Sequence, residues 1–153
     1  MKALSIRQPF ATLLCLGAKH YETRTWKTDY RGPIAIHASS IFDGPARELC
    51  VGSPIRDLLA TAGYRTPLAL PLGKILGLAR LIDCVPTRGL RSLDENQLRL
   101  GDFRPGRWAW RFTTPKLLRV PLPAKGKLSL FDLDLAELAR EAWPLFAAKN
   151  GML

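Results

Sequence analysis

Apolar and polar positions change period several times along the 153 residues, and each change marks an element. Lys2 to Ile6 reads as a first strand. Phe10, Leu13 and Leu14 then follow at helical spacing, with Pro9 in the first turn and Gly17 suited to a left-handed stop. Tyr21 to Trp26 is rich in β-branched and aromatic residues, turn chemistry fills Thr28 to Pro33, and Ile34 to Ala38 returns as a strand that contains His37. From Ile41 to Gly63 the pattern predicts two helical pieces divided at Gly52-Ser53-Pro54. Ser53 is the expected cap of the second, and Ile55, Leu58, Leu59 and Ala62 form its stripe.

A long apolar run from Lys74 to Val85 predicts a central strand that bulges at Gly77. Pro86 to Gly101 reads as a polar connection with one helical turn. Arg107 to Phe112 alternates between basic or small residues and Trp108, Trp110 and Phe112. Leu117 to Val120 and Leu128 to Phe131 are expected as two further, separate strands. Asp134 and Glu137 form a capping pair for a last helix with Leu135, Leu138, Ala139 and Ala142 on its apolar face, limited by Pro144. About six strands and about three or four helices, without βαβ alternation, predict an α+β fold built on a small curved sheet or barrel.

Composition narrows the partners. Lys and Arg number 23 against 13 Asp and Glu, a formal charge of +10, which favours a polyanion held through phosphate contacts. The 47% hydrophobic content suits one compact domain over residues 1–153 with a helical insertion near 41–72 and a terminal helix near 134–148. Cys15, Cys50 and Cys84 lie too far apart for zinc pairs or a disulfide framework, so free thiols in a reducing cytoplasm are expected. No apolar segment is long enough for a membrane span. His20 and His37 have no metal-site spacing, and no cofactor is expected.

The chemical centre of the sequence is Gly17-Ala18-Lys19-His20-Tyr21-Glu22-Thr23-Arg24-Thr25-Trp26. Strand periodicity turns Glu22, Arg24 and Trp26 to one face, with Lys19 in the turn leading in. An ordinary cross-neutralised strand pair would use these charges too. Alternatively, Arg24 offers a fork and Lys19 a point charge to a phosphate, while Glu22 accepts from a base amine or 2′-hydroxyl. In a hydrolytic site Glu22 would activate water and Lys19 would stabilise developing negative charge.

Further blocks extend the pattern: Ser5-Ile6-Arg7-Gln8-Pro9-Phe10, Tyr30-Arg31-Gly32, Ile36-His37-Ala38-Ser39, Gly106-Arg107-Trp108-Ala109-Trp110 and Pro121-Leu122-Pro123-Ala124-Lys125-Gly126. In this order they resemble the ASCH domain, in its G-x-K-x-x-E-x-R form. The resemblance implies a PUA-like β-barrel with helices closing a cleft, the Lys19/Glu22/Arg24 block lining it, and RNA or another nucleic acid as partner. Some small ASCH proteins are amidohydrolases on N4-acetylcytidine that use a lysine, a threonine and a glutamate. Lys19 stands at the lysine position, but Glu22 stands where the threonine would be, and a carboxylate lacks the nucleophilic hydroxyl.

The leading reading is a cytoplasmic domain that binds single-stranded or modified RNA, or a modified nucleoside, in a basic cleft. Its contacts would be Ser5, Gln8, Lys19, Glu22, Arg24, Ser39, Trp108, Trp110 and Lys125. Trp108 and Trp110 would stack on unpaired bases, at about 1 to 3 kcal/mol each, unless they fill the core. Arg7, Lys27, Arg31 and Arg107 would track phosphates on the rim, joined by Lys74, Arg111 and Lys127. The alternative is a hydrolase in the same cleft, an amidohydrolase or metal-independent ribonuclease, with Lys19 and Glu22 catalytic. A protein-binding module would instead need an exposed stripe on the last helix.

Overall fold

A computed structural model of the chain describes residues 1–141. Its frame is one six-stranded sheet in the order β2-β5-β4-β3-β1-β6, made of β1 (Lys2–Ile6), β2 (Tyr21–Arg24), β3 (Gly32–Ala38), β4 (Lys74–Pro86), β5 (Trp108–Pro123) and β6 (Leu130–Asp132). β1 and β3 pair in parallel, and every other pairing is antiparallel. The helices are α1 (Phe10–Cys15), α2 (Gly44–Leu49), α3 (Ile55–Thr61) and α4 (Glu95–Leu98). The sheet is curled into a half-barrel, an α+β arrangement of PUA-like type.

Alternating strand residues feed two cores. Leu4, Ile6, Ile34, Ile36 and Ala38 pack with α1, Trp110 and Phe112 on one face. Ala3, Ala35, Ile75 and Phe131 pack on the other, covered in part by Leu135 and Leu138. A helix begins at 135 and continues to 141, capped by the Asp134 carboxylate, which accepts the Glu137 N–H at 2.9 Å. Leu135 and Leu138 are therefore partly spent on the second core. Ala142 and Pro144, read as part of that helix, lie outside the described residues. The excursion between β3 and β4 has its own small core of Cys50, Ile55, Leu59 and Leu70 against Leu13 and Leu100.

Local chemistry departs from the sequence reading in two places. Leu117 to Val120 is not a separate strand but continues β5, a 16-residue strand interrupted where Thr114 takes a positive φ of 46° before Pro115. Its pairing with β4 shifts register three times, and this irregularity lets one strand bend round the sheet instead of ending. Gly77 lies at one of these shifts, and any Cβ there would strike the Lys116 carbonyl oxygen and the Cys15 Sγ. Ser53 does not cap α3. Pro54 holds the cap position, and the Ser53 hydroxyl hydrogen-bonds the Asp57 carboxylate. β2 and β3, close in sequence, are not neighbours, because β5 and β4 lie between them.

Candidate functional site

The Lys19 turn is built from both sides. The Leu13 carbonyl at the end of α1 accepts the N–H groups of Ala18 and Lys19, both at 3.1 Å, while Gly17 turns the chain with φ +81°. From the other side, buried Gln97 of α4 donates to the Ala18 carbonyl at 2.8 Å and accepts the His20 N–H at 2.8 Å. β2 leaves this turn and pairs with β5, placing Glu22 opposite Trp110 and Arg24 opposite Trp108.

The three charged groups meet in a small volume. Lys19 is 2% exposed; its Nζ donates to the Leu100 carbonyl, lies 4.9 Å from the centre of the Phe10 ring and 3.9 Å from Glu22 Oε1. Burial pushes its amine down from 10.5, the Glu22 carboxylate opposes this, and Arg24 adds to the lowering. Glu22 Oε1 accepts the Thr23 N–H at 2.9 Å, and its Oε2 lies 3.6 Å from Arg24 Nη2. Arg24 Nη2 donates to the Ser5 carbonyl at 2.5 Å, while Arg24 Nε is the one buried side-chain polar atom without a partner among the described residues.

These groups line a cavity of about 680 Å³. Its cationic lining residues are Arg7, Lys19, Arg24, Arg99, Arg107 and Lys127, against the carboxylates Glu22 and Asp102. Arg7 reaches Asp43 at 3.4 Å, and Arg107 donates to the Asp102 and Thr23 carbonyls at 3.1 Å. Asp102 itself is held down to about 2, chiefly by hydrogen bonds from Arg104.

Of the residues singled out from sequence, Ser5, Lys19, Glu22, Arg24, Ser39, Arg7, Arg107 and Lys127 line this cavity. Gln8 does not: fully buried, it donates to Thr12 Oγ1 at 2.7 Å and to the Pro71 carbonyl at 2.9 Å, and accepts the Thr12 N–H at 3.0 Å. It fixes the entry to α1. Trp110 is also corrected. It is 0% exposed, edge-on to Trp26 with centroids 4.7 Å apart, and its indole N–H donates to the Trp26 carbonyl, so no base can reach it. Trp26 itself lies past the end of β2 and packs against the same core.

Trp108 is half-buried outside the cavity, with Lys27 Nζ 5.8 Å from its ring centre. Lys125 lines a second, adjoining cavity, and Arg31 is tied to its own loop and to Asp83. Ser39 caps no helix: its Oγ accepts the Ile41 N–H at 3.1 Å, and Asp43 is the cap of α2. Sequence reasoning missed Gln97, Asp102 and Phe10 as site residues. The first two come from a connection with no periodic signal, and only the D-x-R spacing of Asp102 and Arg104 offered a local cue.

His37 is 1% exposed in β3. Its Nε2 lies 2.8 Å from the Ala124 carbonyl and its Nδ1 2.9 Å from Ser5 Oγ. Burial pushes the imidazole below its ordinary 6.5, and the Ala124 hydrogen bond opposes this. The folded state thus binds that proton less tightly than the unfolded chain. The resulting stability is complete above pH 6.5 and is lost as pH falls from there through the lower folded value. A proton NMR titration is expected to place the His37 midpoint below 6.5; a midpoint at or above that value contradicts the burial argument.

Among the described residues no helix is long and apolar enough to cross a membrane, and no three His, Cys, Asp or Glu residues are grouped to hold a metal ion. A curled mixed sheet with α1 packed on it, and a cavity lined by several charged side chains, define the domain class as PUA-like α+β. The comparisons carry this to a family. The ASCH domain model matches residues 4–123, and the chain belongs to the ASCH domain family. It is 29% identical over 131 residues to human Activating signal cointegrator 1 and equally to the mouse protein, covering 86% of this chain but only 22% of those relatives. The crystal structure of ASCH from Zymomonas mobilis aligns over 94% of both chains with a TM-score of 0.51 at 18% identity, a likeness of fold.

Proposed function

We propose that the cleft binds RNA by receiving one unpaired or modified nucleotide. The observation that carries this is the lining: six cationic residues against two carboxylates around a cavity of about 680 Å³. That volume suits a small ligand of about nucleotide size and not a duplex. Arg24, which lines the cavity and keeps a buried Nε unpartnered, is the anchor for a phosphate or a base carbonyl. The Glu22 carboxylate, which lines the cavity, gives the base edge an acceptor. Exposed Lys127, on the cavity rim, follows the adjoining phosphates. A nucleic-acid partner is also what membership of the ASCH family suggests.

The test is retention of labelled single-stranded RNA across a salt series. Lys127→Ala is expected to weaken binding of every sequence alike and to reduce the slope of log K against log salt by about one. Arg24→Ala is expected to reduce affinity by at least about tenfold, the loss of one charge-assisted hydrogen bond. Absence of RNA and DNA binding at low salt would overturn the reading.

A further inference from the structure

β1 and β3 run parallel with Ser5 directly opposite His37, and the β3 register against β4 shifts between Ile36 and His37. A shift of this kind re-aims a side chain, and here it accompanies an imidazole bonded at both nitrogens. The Ala124 carbonyl can only accept, so Nε2 carries the proton that it donates at 2.8 Å. In the neutral ring Nδ1 is then a bare acceptor, and the hydrogen bond at 2.9 Å runs from the Ser5 hydroxyl to it. A hydroxyl on a base whose far nitrogen is fixed by a third group is the arrangement of an activated nucleophile.

Three features place this pair for chemistry. Ser5 lines both the main cavity and a second one of about 560 Å³, and the two share Ser39, Ile41, Lys127 and Leu128 as a common wall. The Arg24 guanidinium is fastened to the Ser5 carbonyl and has Nε unpartnered. Gly126 passes so close that a Cβ on it would lie 2.9 Å from His37 Nδ1 and 3.1 Å from Ser5 Oγ. A side chain there would crowd the pair, and glycine leaves it clear.

We infer that Ser5 and His37 form a nucleophile and base for acyl transfer, with short-chain acyl esters as substrates. The leaving alcohol sits in the main cavity and the acyl group lies toward Ile41 and Leu128. Ser5 Oγ attacks the ester carbonyl carbon as its proton passes to His37 Nδ1, and Arg24 stabilises the oxyanion. Collapse breaks the C–O bond. The alcohol leaves with the proton from Nδ1, and the acyl group stays on Ser5 as an ester. Water then attacks that ester, gives a proton to Nδ1, and releases the carboxylic acid as Ser5 Oγ recovers its proton. Placing a nucleotide alcohol in the main cavity rests on the RNA reading, whereas the acyl-transfer step does not.

The experiment uses p-nitrophenyl acetate with the full chain, and mass spectrometry of the quenched protein. Wild type is expected to show turnover above buffer and an acetyl adduct on the peptide containing Ser5. Ser5→Ala is expected to lose the adduct and at least about 100-fold in rate, and His37→Gln, whose amide can still donate to Ala124, about 100-fold or more. Melting curves of both variants separate misfolding from loss of chemistry, and Gly126→Ala, which crowds the pair from outside, is expected to lower the rate in a folded protein. A wild-type rate equal to buffer, an adduct on any other residue, or an unchanged rate in Ser5→Ala would overturn the proposal. Retention of RNA by wild type is scored separately, so either reading can fail alone.

Discussion

Trp110→Ala is expected to lower the free energy of unfolding by about 3 to 5 kcal/mol, the range for emptying a fully buried indole site. The side chain is completely enclosed in the main core, stacks edge-on with Trp26 and donates its N–H to the Trp26 carbonyl. Its removal leaves a cavity, an unpaired carbonyl and a loosened exit from β2, the strand that carries Glu22 and Arg24. For a domain stabilised by about 5 to 15 kcal/mol this is a large share. Urea unfolding followed by intrinsic fluorescence measures it, with Trp108, Trp26 and Trp143 left to report. A loss under about 1 kcal/mol would mean that the core closes over the vacancy.

The second large effect concerns charge. Glu22→Gln is expected to cost about 3 kcal/mol, because it leaves the enclosed Lys19 ammonium beside Arg24 without its nearest counter-charge. Lys19→Met keeps the length of the side chain while removing the ammonium, at the expense of an unpaired Leu100 carbonyl. In the double variant the two losses are expected to fall short of additivity by about 1 to 2 kcal/mol, since the second change removes what the first exposed. A double-mutant cycle in urea gives this directly. Strict additivity would show that Glu22 and Lys19 do not interact across their 3.9 Å.

How much of this was legible follows from how local each determinant is. β1, α1, the bulged β4 and the two excursion helices were read correctly because their periodicity, prolines and glycines act within a few residues. β5 was split in two because Thr114-Pro115 resembles a strand end, and only pairing with β4 on both sides of it keeps the strand continuous. The Lys19, Glu22 and Arg24 cluster was visible because turn and strand periodicity bring it together within six residues. Gln8 was misjudged because its partners, Thr12 and Pro71, are settled by the packing of α1 against a distant loop. Trp110 was misjudged because alternation tells which side a residue takes, not whether that side is covered. The bond between Ser5 and His37 depends on the register of two parallel strands 32 positions apart, which no short window contains.

Gln97 holds both flanks of the Lys19 turn from a four-residue helix nearly eighty positions downstream. The G-x-K-x-x-E-x-R string is consequently only half of an object whose other half has no recognisable spelling. A peptide copying residues 17–26 would reproduce the letters without the shape. Grafting the block onto another scaffold would require carrying the Glu95–Leu98 clasp with it. Length changes between β4 and β5, in a stretch that looks like dispensable connection, would act at a distance on the ammonium of Lys19.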